Sequence, residues 1–582
     1  MSEGPKRRAA TVAATLAAAG LLAAACGGGG AATPGASTSI GAGTTRLPTA
    51  TSGAQVPATT APASTPATTE MPRRGGRLVF ALESDTGSPW RPFEMLCASS
   101  CYQVASAVYD TLTVNVRQAP GWKPYLARRV VPNATFTSWT VTARPGVKFH
   151  DGTPFDGAAI ADNLNRAKGG FLTGTSLADV ASIAVSPTDP MAVVVVTKRP
   201  WATFPIYLSS QLGMMASPTW LKASDGDQAL RSKPVGTGPF IFESYAPNGS
   251  FKAKRNPNYW YRPYPYLDEV EFRPIADGSQ RADALKSSGV VDMIHTTNGQ
   301  TIKSYEGSSN PVLEIRDYKG STVYALLHVS PSATGRPSPL ADQRVRCALA
   351  NAVDTPALVK TLQAGVNRLA DGPFSPEQVG YLADTGYPQH QDMAKAQALI
   401  AAYKRDHPGP LVLSLATTND ETNLTVAQFQ KQWYEEAGVD RVSIDQIDQA
   451  AFILAALKGD FQTFQWRNHS GVDLDSQYIW WHSSTAVPDG QLGLNYGRIR
   501  DPVIDKALDD NRSTTDPTRK KLDAETINRR FAEQCYDLWG WWTAWAIVHD
   551  AAFHIPADDT LPDGSTTGPT NEIVNIREVW KS

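Results

Sequence analysis

The segment PVGTGPFIFESYAPNGSFKAKRNPNYW, Pro234 to Trp260, constrains the fold of this chain more than any other. Gly236 and Gly238 flank Thr237 and Pro239 closes the run, so a tight turn lacking one amide donor leads into a strand. Phe240, Ile241, Phe242 and Tyr245 form an apolar run, Pro247-Asn248-Gly249 signals a turn, and Phe251 to Arg255 alternates apolar with basic residues. That pattern predicts a β-hairpin ending on Tyr259, Trp260 and Tyr261. A second segment, VKFHDGTPF at Val147 to Phe155, carries two turn signals. Before it, Trp139, Val141 and Ala143 alternate with threonines as one face of a strand; after it, Asp156 is placed to cap a helix through Ala159 to Lys168.

The ends of the chain differ sharply in composition. Lys6, Arg7 and Arg8 precede a small apolar run from Ala9 to Ala25, the pattern of an export signal over residues 1–25. From Gly27 to Met71 the chain is almost wholly Gly, Ala, Ser, Thr and Pro, too poor in apolar side chains to fold and suited to a tether. No later stretch has the eighteen or more apolar residues that a membrane span needs. Roughly 500 residues remain, enough for two or three domains. A hydrophobic content of 42% supports a large core, and a formal net charge of -2 offers no electrostatic footprint for nucleic acid.

Within the folded part, strands and helices mix. Met191 to Thr197 reads as a buried strand, and Leu411 to Ala416, a helix from Glu421 to Ala437, and Val442 to Ile447 read as a β, α, β unit stopped at Gly438. Thr355 is expected to cap a helix with Pro356 in its first turn and Gly365 beyond its end. Apart from Cys26, the cysteines number four, Cys97, Cys101, Cys347 and Cys535, which suits an oxidising compartment. Of the three possible pairings, Cys97 with Cys101 and Cys347 with Cys535 is favoured. No zinc-type ligand spacing accompanies them, so no metal and no cofactor is expected.

VKFHDGTPF and VGTGPF…RNPNYW together resemble the signature of the extracytoplasmic solute-binding proteins of family 5, the peptide, nickel and oligosaccharide receptors of ABC importers. Asp342 to Gly365 and Asp501 to Glu533 resemble two further segments of that family, so the likeness runs from about Arg77 to the C-terminus. The resemblance implies an α/β, two-lobed periplasmic-binding-protein-like fold of the three-domain type, with a hinge and an interlobe cleft. Lobe one would comprise residues 76–112, 235–316 and 546–582, an inserted domain 113–234, and lobe two 317–545. It also implies a monomer that captures a small solute, possibly an oligopeptide, and hands it to the transmembrane permease subunits. No P-loop occurs, as expected where separate subunits hydrolyse ATP. Cys26, after Ala24-Ala25, resembles a lipobox cysteine, although Leu22 stands one place early. Residues 26–75 would then be a lipid-anchored linker, the only membrane attachment, holding the protein at the outer face of the cytoplasmic membrane.

In the family's peptide binders, a tryptophan followed after two residues by aspartate holds the peptide's ammonium group. The matching segment here is FQWRNHSGVDLDSQYIWWH, Phe464 to His482, where Trp466 is followed by Arg467, Asn468 and His469. The amine anchor is replaced by a histidine, and Arg467 offers a bidentate partner for a carboxylate or phosphate. Trp466, Tyr478, Trp480 and Trp481 are candidate stacking surfaces, with one of the Trp480-Trp481 pair expected in the core. Asp473, Trp90 and Phe93 complete the candidate set, the last two from the segment that begins the cleft wall in family members. A sugar or an anionic small molecule is the alternative solute. A secreted hydrolase or an envelope receptor is the rival class, but the chain has no G-x-S-x-G elbow and no H-E-x-x-H pair, and no catalytic residue is assigned.

Overall fold

In a computed structural model the described residues are 71–85, 89–116, 120–287, 289–317, 321–330, 332–333, 336–418, 421–447, 449–469, 473–567 and 573–582. They belong to one compact unit, Glu70–Ser582. The export signal, Cys26 and nearly all of the tether lie outside the described residues, as do the side chains of Asn468 and His469.

Three sheets organise the chain. The first has seven strands in the order Val312–Asp317, Trp545–His549, Met293–Thr296, Arg77–Leu82, Glu269–Pro274, Phe251–Arg255 and Phe240–Tyr245. Arg77–Leu82 is parallel to both of its neighbours. The second has six, in the order Arg368–Leu369, Asp537–Trp542, Ser321–Leu327, Thr463–His469, Val412–Thr417 and Arg441–Gln446, the last three mutually parallel. The third is an antiparallel sheet of Ala127–Pro132, Ser138–Ala143, Ala192–Thr197 and Val180–Val185, drawn from a segment that leaves and re-enters the first sheet's body. Each sheet buries its own apolar cluster.

The local predictions correspond to particular interactions. Phe240–Tyr245 and Phe251–Arg255 pair antiparallel around a turn in which Asn248 takes the left-handed conformation. Trp139, Val141 and Ala143 are the buried half of their strand, and Asp156 Oδ1 accepts from the Ala159 amide at 2.9 Å. Val412–Thr417 and Arg441–Gln446 run parallel on either side of the Glu421–Glu436 helix, which ends before Gly438 at φ 106°. One cap is displaced. Asp354, not Thr355, accepts from the Ala357 amide at 3.0 Å, because a carboxylate one place earlier reaches the free amide while Thr355 is already helical.

The glycines of the opening motif serve close approach rather than an unusual dihedral. A Cβ at Gly236 would lie 2.1 Å from Val108 O, and one at Gly238 would lie 2.4 Å from Val108 C. Here the two sequence motifs meet. His150 Nδ1 accepts from the Gly236 amide at 3.3 Å while its Nε2 faces Gly238 O at 3.0 Å, bonds that a neutral imidazole satisfies completely. Burial pushes this imidazole down to about 4. Asp110, buried beside them, accepts from Thr237 Oγ1, Tyr259 OH and Trp260 Nε1 at 3.0, 2.9 and 2.8 Å.

Disulfides join Cys97 to Cys101 and Cys347 to Cys535. Among the described residues no helix is long and apolar enough to cross a membrane, and no group of three or more metal-ligating side chains occurs.

Candidate functional site

Open α/β sheets bind ligands beyond the carboxyl ends of their parallel strands, where the loops diverge and backbone amides point outward. In the first sheet those ends are Leu82, Pro274 and Thr296; in the second they are Thr417, Gln446 and His469. Arg467, near the end of its strand, brings the two sets of ends together. Its Nη2 donates to Glu83 Oε1 at 2.6 Å and its Nη1 to Thr297 Oγ1 at 3.3 Å, both residues standing just past first-sheet strands. The guanidinium carbon lies 4.7 Å from the ring centre of Trp545, and the His295 ring stacks on the same tryptophan at 4.1 Å.

The electrostatics at this junction are set by Glu83. Burial by itself would raise its carboxyl, but Arg467, His295 and Arg281 outweigh that and hold it down at about 2. Arg281 is buried below, donating to the His295 and Ala276 carbonyls at 2.8 and 3.2 Å. The chain passes between the two sheets only twice among the described strands, from Asp317 to Ser321 and from Trp542 to Trp545. The charged junction stands at the second of these passages, where Arg467 lies over Trp545, the first residue of the returning strand.

The model of the bacterial extracellular solute-binding proteins, family 5, middle region, matches residues 121–489, more than half of the chain. The chain belongs to this family. Among relatives, it is 27% identical over 399 residues to the glutathione-binding protein GsiB of Pectobacterium atrosepticum, covering 66% of this chain and 73% of that one. GsiB of Salmonella paratyphi A is 29% identical over 365 residues, covering 61% of this chain and 65% of that one. Among solved structures, the periplasmic binding protein DppA of Helicobacter pylori, in complex with the peptide STSA, superposes with a TM-score of 0.75 at 20% identity, covering 88% and 98% of the two chains. The two-lobed fold expected of a family 5 protein is therefore the fold of this chain.

Against that fold the candidate residues separate into groups. Strand alternation sends Trp466 and Arg467 to opposite faces. Trp466 stacks on Phe452 at 5.6 Å, toward the second sheet's own core, and meets Tyr496 at 5.1 Å; Trp480 also meets Tyr496, at 5.2 Å. Trp466 and Trp480 are thus brought together around Tyr496, and Arg467 faces Glu83 apart from them. Trp481 is the core member of its pair, packed on Phe374 and Phe531. Trp90, at 1% exposure, packs edge-on against Tyr245 and Phe251, the core placement that its segment also allowed. Tyr478 is buried under Arg512, and Asp473 is tied to Lys520 while capping the turn at Asp475, so both have internal partners in place of a ligand.

Phe93 is placed differently. It lines a groove of about 450 Å³ between the loop after the first strand and the helix corner at Gly169–Leu172, with Glu94 and Arg166 among the lining residues. A larger groove of about 790 Å³, lined by Arg346, Asp489, Arg498 and Arg500, lies past Leu327, at the end of the second sheet away from the Arg467 junction. Its position argues against solute capture between lobes.

Sequence reasoning missed Glu83, Arg281, His295 and Trp545. An acidic residue directly after the LVFAL strand was a readable signal for the first of them, given the carboxyl-end rule. The other three become recognisable only when sheet order sets the Met293–Thr296 and Trp545–His549 strands side by side.

Proposed function

We propose that this chain is the solute-capturing component of an ABC importer, holding a peptide or peptide-like solute between two lobes and presenting it to a permease. The observation that supports this best is the Arg467–Glu83 contact, a charged junction linking the carboxyl ends of two sheets. A solute seated there touches both lobes only when they are closed, so its binding energy favours the closed form. Residues 76–112, 235–316 and 546–582 act as lobe one, 113–234 as the inserted domain and 317–545 as lobe two. Phe93, Trp466, Arg467 and Trp480 are the candidate contacts retained from the sequence, joined by Glu83. The solute leaves chemically unchanged, and no catalytic group is assigned.

The relatives named for glutathione and the peptide complex of the DppA fold motivate the choice of solute class. With histidine in place of the amine-holding aspartate, Arg467 becomes the anchor for a solute carboxylate, which also admits an anionic non-peptide. Native mass spectrometry of the protein as purified, followed by release of any retained molecule, tests this directly. A retained peptide-like carboxylate, reproduced by saturable one-to-one titration with a rise in melting temperature, is the expected result. Conversion of the solute to a product would overturn the reading.

The protein is further proposed to act as a monomer, lipid-anchored through Cys26 at the outer face of the cytoplasmic membrane. Replacing Cys26 should release it from the membrane fraction with solute binding intact; a variant that stays in that fraction would defeat the anchor.

A further inference from the structure

A second charged junction joins the second-sheet body to the inserted third-sheet domain. Asp475 is fully buried six residues past His469, the last residue of the strand that carries Arg467. Its Oδ1 accepts from Arg512 Nε at 2.7 Å, and its Oδ2 accepts from Trp201 Nε1 at 2.7 Å and from Thr203 Oγ1 at 2.5 Å. Tyr207 OH donates to the Asp475 carbonyl at 2.6 Å. Arg512 reaches across to Asp179 Oδ2 at 2.7 Å and to Tyr207 OH at 3.0 Å. Its guanidinium lies 3.4 Å from the Tyr478 ring centre and 4.4 Å from that of Trp201. Asp475 and Tyr478 belong to the segment that the sequence singled out, yet neither is available to a solute.

Connectivity says which contacts must yield when the lobes part. The third-sheet domain leaves the first sheet's body and returns to it, and it is held there by the Asp110 carbonyl, which accepts from the Met215 amide at 3.2 Å, by the Tyr125–Tyr259 hydroxyl contact at 2.9 Å, and by the His150 bonds to Gly236 and Gly238. Among the described residues the second-sheet body has no direct chain connection to that domain; besides the side-chain contacts, one backbone bond crosses, from the Ala202 amide to the Arg512 carbonyl at 2.7 Å. Separation of the lobes therefore breaks the contacts of Asp475 and Arg512 with Asp179, Trp201, Thr203 and Tyr207 unless it first strips the inserted domain from its own parent.

The junction is built to part without orphaning a buried charge. After separation Asp475 keeps Arg512 at 2.7 Å on one side, and Asp179 keeps Arg199 at 2.7 Å on the other. Asp509, which also bonds Arg199, retains Tyr478 OH at 3.1 Å. A buried ion pair nearly breaks even against hydration, whereas one left with a missing partner is costly. Each buried pair therefore stays neutral when the faces part, and Asp509, 41% exposed, exchanges Arg199 for water, which keeps the gap between joined and parted states small enough for a reversible contact.

We propose that Arg512 and Asp475, gripping Asp179, Trp201, Thr203 and Tyr207, form a closure latch that sets the closed population of the ligand-free protein. They are positioning residues, touching no solute. The proposal rests on the two-lobed capture reading, and it adds that affinity for any solute scales with the closed fraction the latch permits.

The test uses the ligand-free full chain with Asp179→Asn plus Thr203→Val, which leaves Arg467, Glu83 and the Asp475–Arg512 pair untouched. Small-angle scattering should show a larger radius of gyration. Hydrogen exchange should quicken by about tenfold or more in peptides covering 199–209 and 473–482. Peptides covering 107–112 and 256–260 should keep their protection, and Asp179→Glu should restore compactness. Trp201→Phe, which removes one donor and keeps most of the ring, should give a smaller change in the same direction if the double variant fails to fold. An unchanged radius and unchanged protection would overturn the latch, as would loss of protection at the Asp110 face instead, or a uniform loss with a fallen melting temperature. No solute is added, so failure here leaves solute capture standing, and failure to find a solute leaves this result intact.

Discussion

Arg467 with Glu83 and Arg512 with Asp475 are chemically the same arrangement, an arginine on a carboxylate with its guanidinium over a tryptophan ring, and they differ mainly in water. The side chains of the first pair are 28% and 23% exposed, and those of the second 3% and 0%. An incoming carboxylate can compete for Arg467, because the hydrated junction admits a substitute for Glu83. Nothing can compete for Arg512 without opening the contact, since Trp201, Tyr478 and Tyr207 surround it. Solvation thus separates a pair suited to exchange with a solute from a pair suited to reporting whether the lobes are together.

The largest way to break this comparison is to remove the buried carboxylate. Asp475→Ala should destabilise the protein by about 3–5 kcal/mol, the cost of leaving a desolvated guanidinium short of its partner, read by denaturant unfolding. A loss no greater than that of the exposed pair would mean that burial does not distinguish them.

Glu83→Gln should cost less, on the order of 3 kcal/mol at neutral pH, and the difference should depend on acidity. The folded carboxyl titrates at about 2 against an ordinary value of 4.5. Its contribution is therefore complete above about 4.5 and is lost as pH falls toward 2. Stability measured against pH for both proteins should converge over that interval. A constant gap would show that packing, not ionisation, separates them.

How far the sequence could disclose this contrast depends on the range of the interactions involved. The hairpin at Phe240–Arg255, the Asp156 cap and the β, α, β unit follow from neighbours in the chain, where turn chemistry and periodicity act locally. Gly236 and Gly238 were visible as a turn, but the reason for them, the backbone of Val108 pressed against them, is set by tertiary contact. The candidate site was legible at Arg467 because a motif comparison put it in register, and illegible at Glu83 because its partner is 384 residues distant. Tyr478, Trp481 and Trp90 look like stacking surfaces in a sequence and are core in the fold. Aromatic identity carries no direction, and direction is what distinguishes a cleft wall from an interior.

Two smaller substitutions sharpen the comparison by changing one bond at a time. Trp201→Phe removes the indole donor to Asp475 and should cost about 1 kcal/mol, or somewhat more because the acceptor is buried and charged. Arg467→Lys keeps the charge at the exposed junction but replaces a planar ion stacked on Trp545 with a compact one, and should cost about 0.5–1 kcal/mol. Thermal unfolding of both variants alongside their parent checks the order. If Arg467→Lys proves the more damaging, the planar fork of the guanidinium is what joins Glu83 to Thr297, and a solute carboxylate that binds there must be held by two parallel bonds rather than by charge alone.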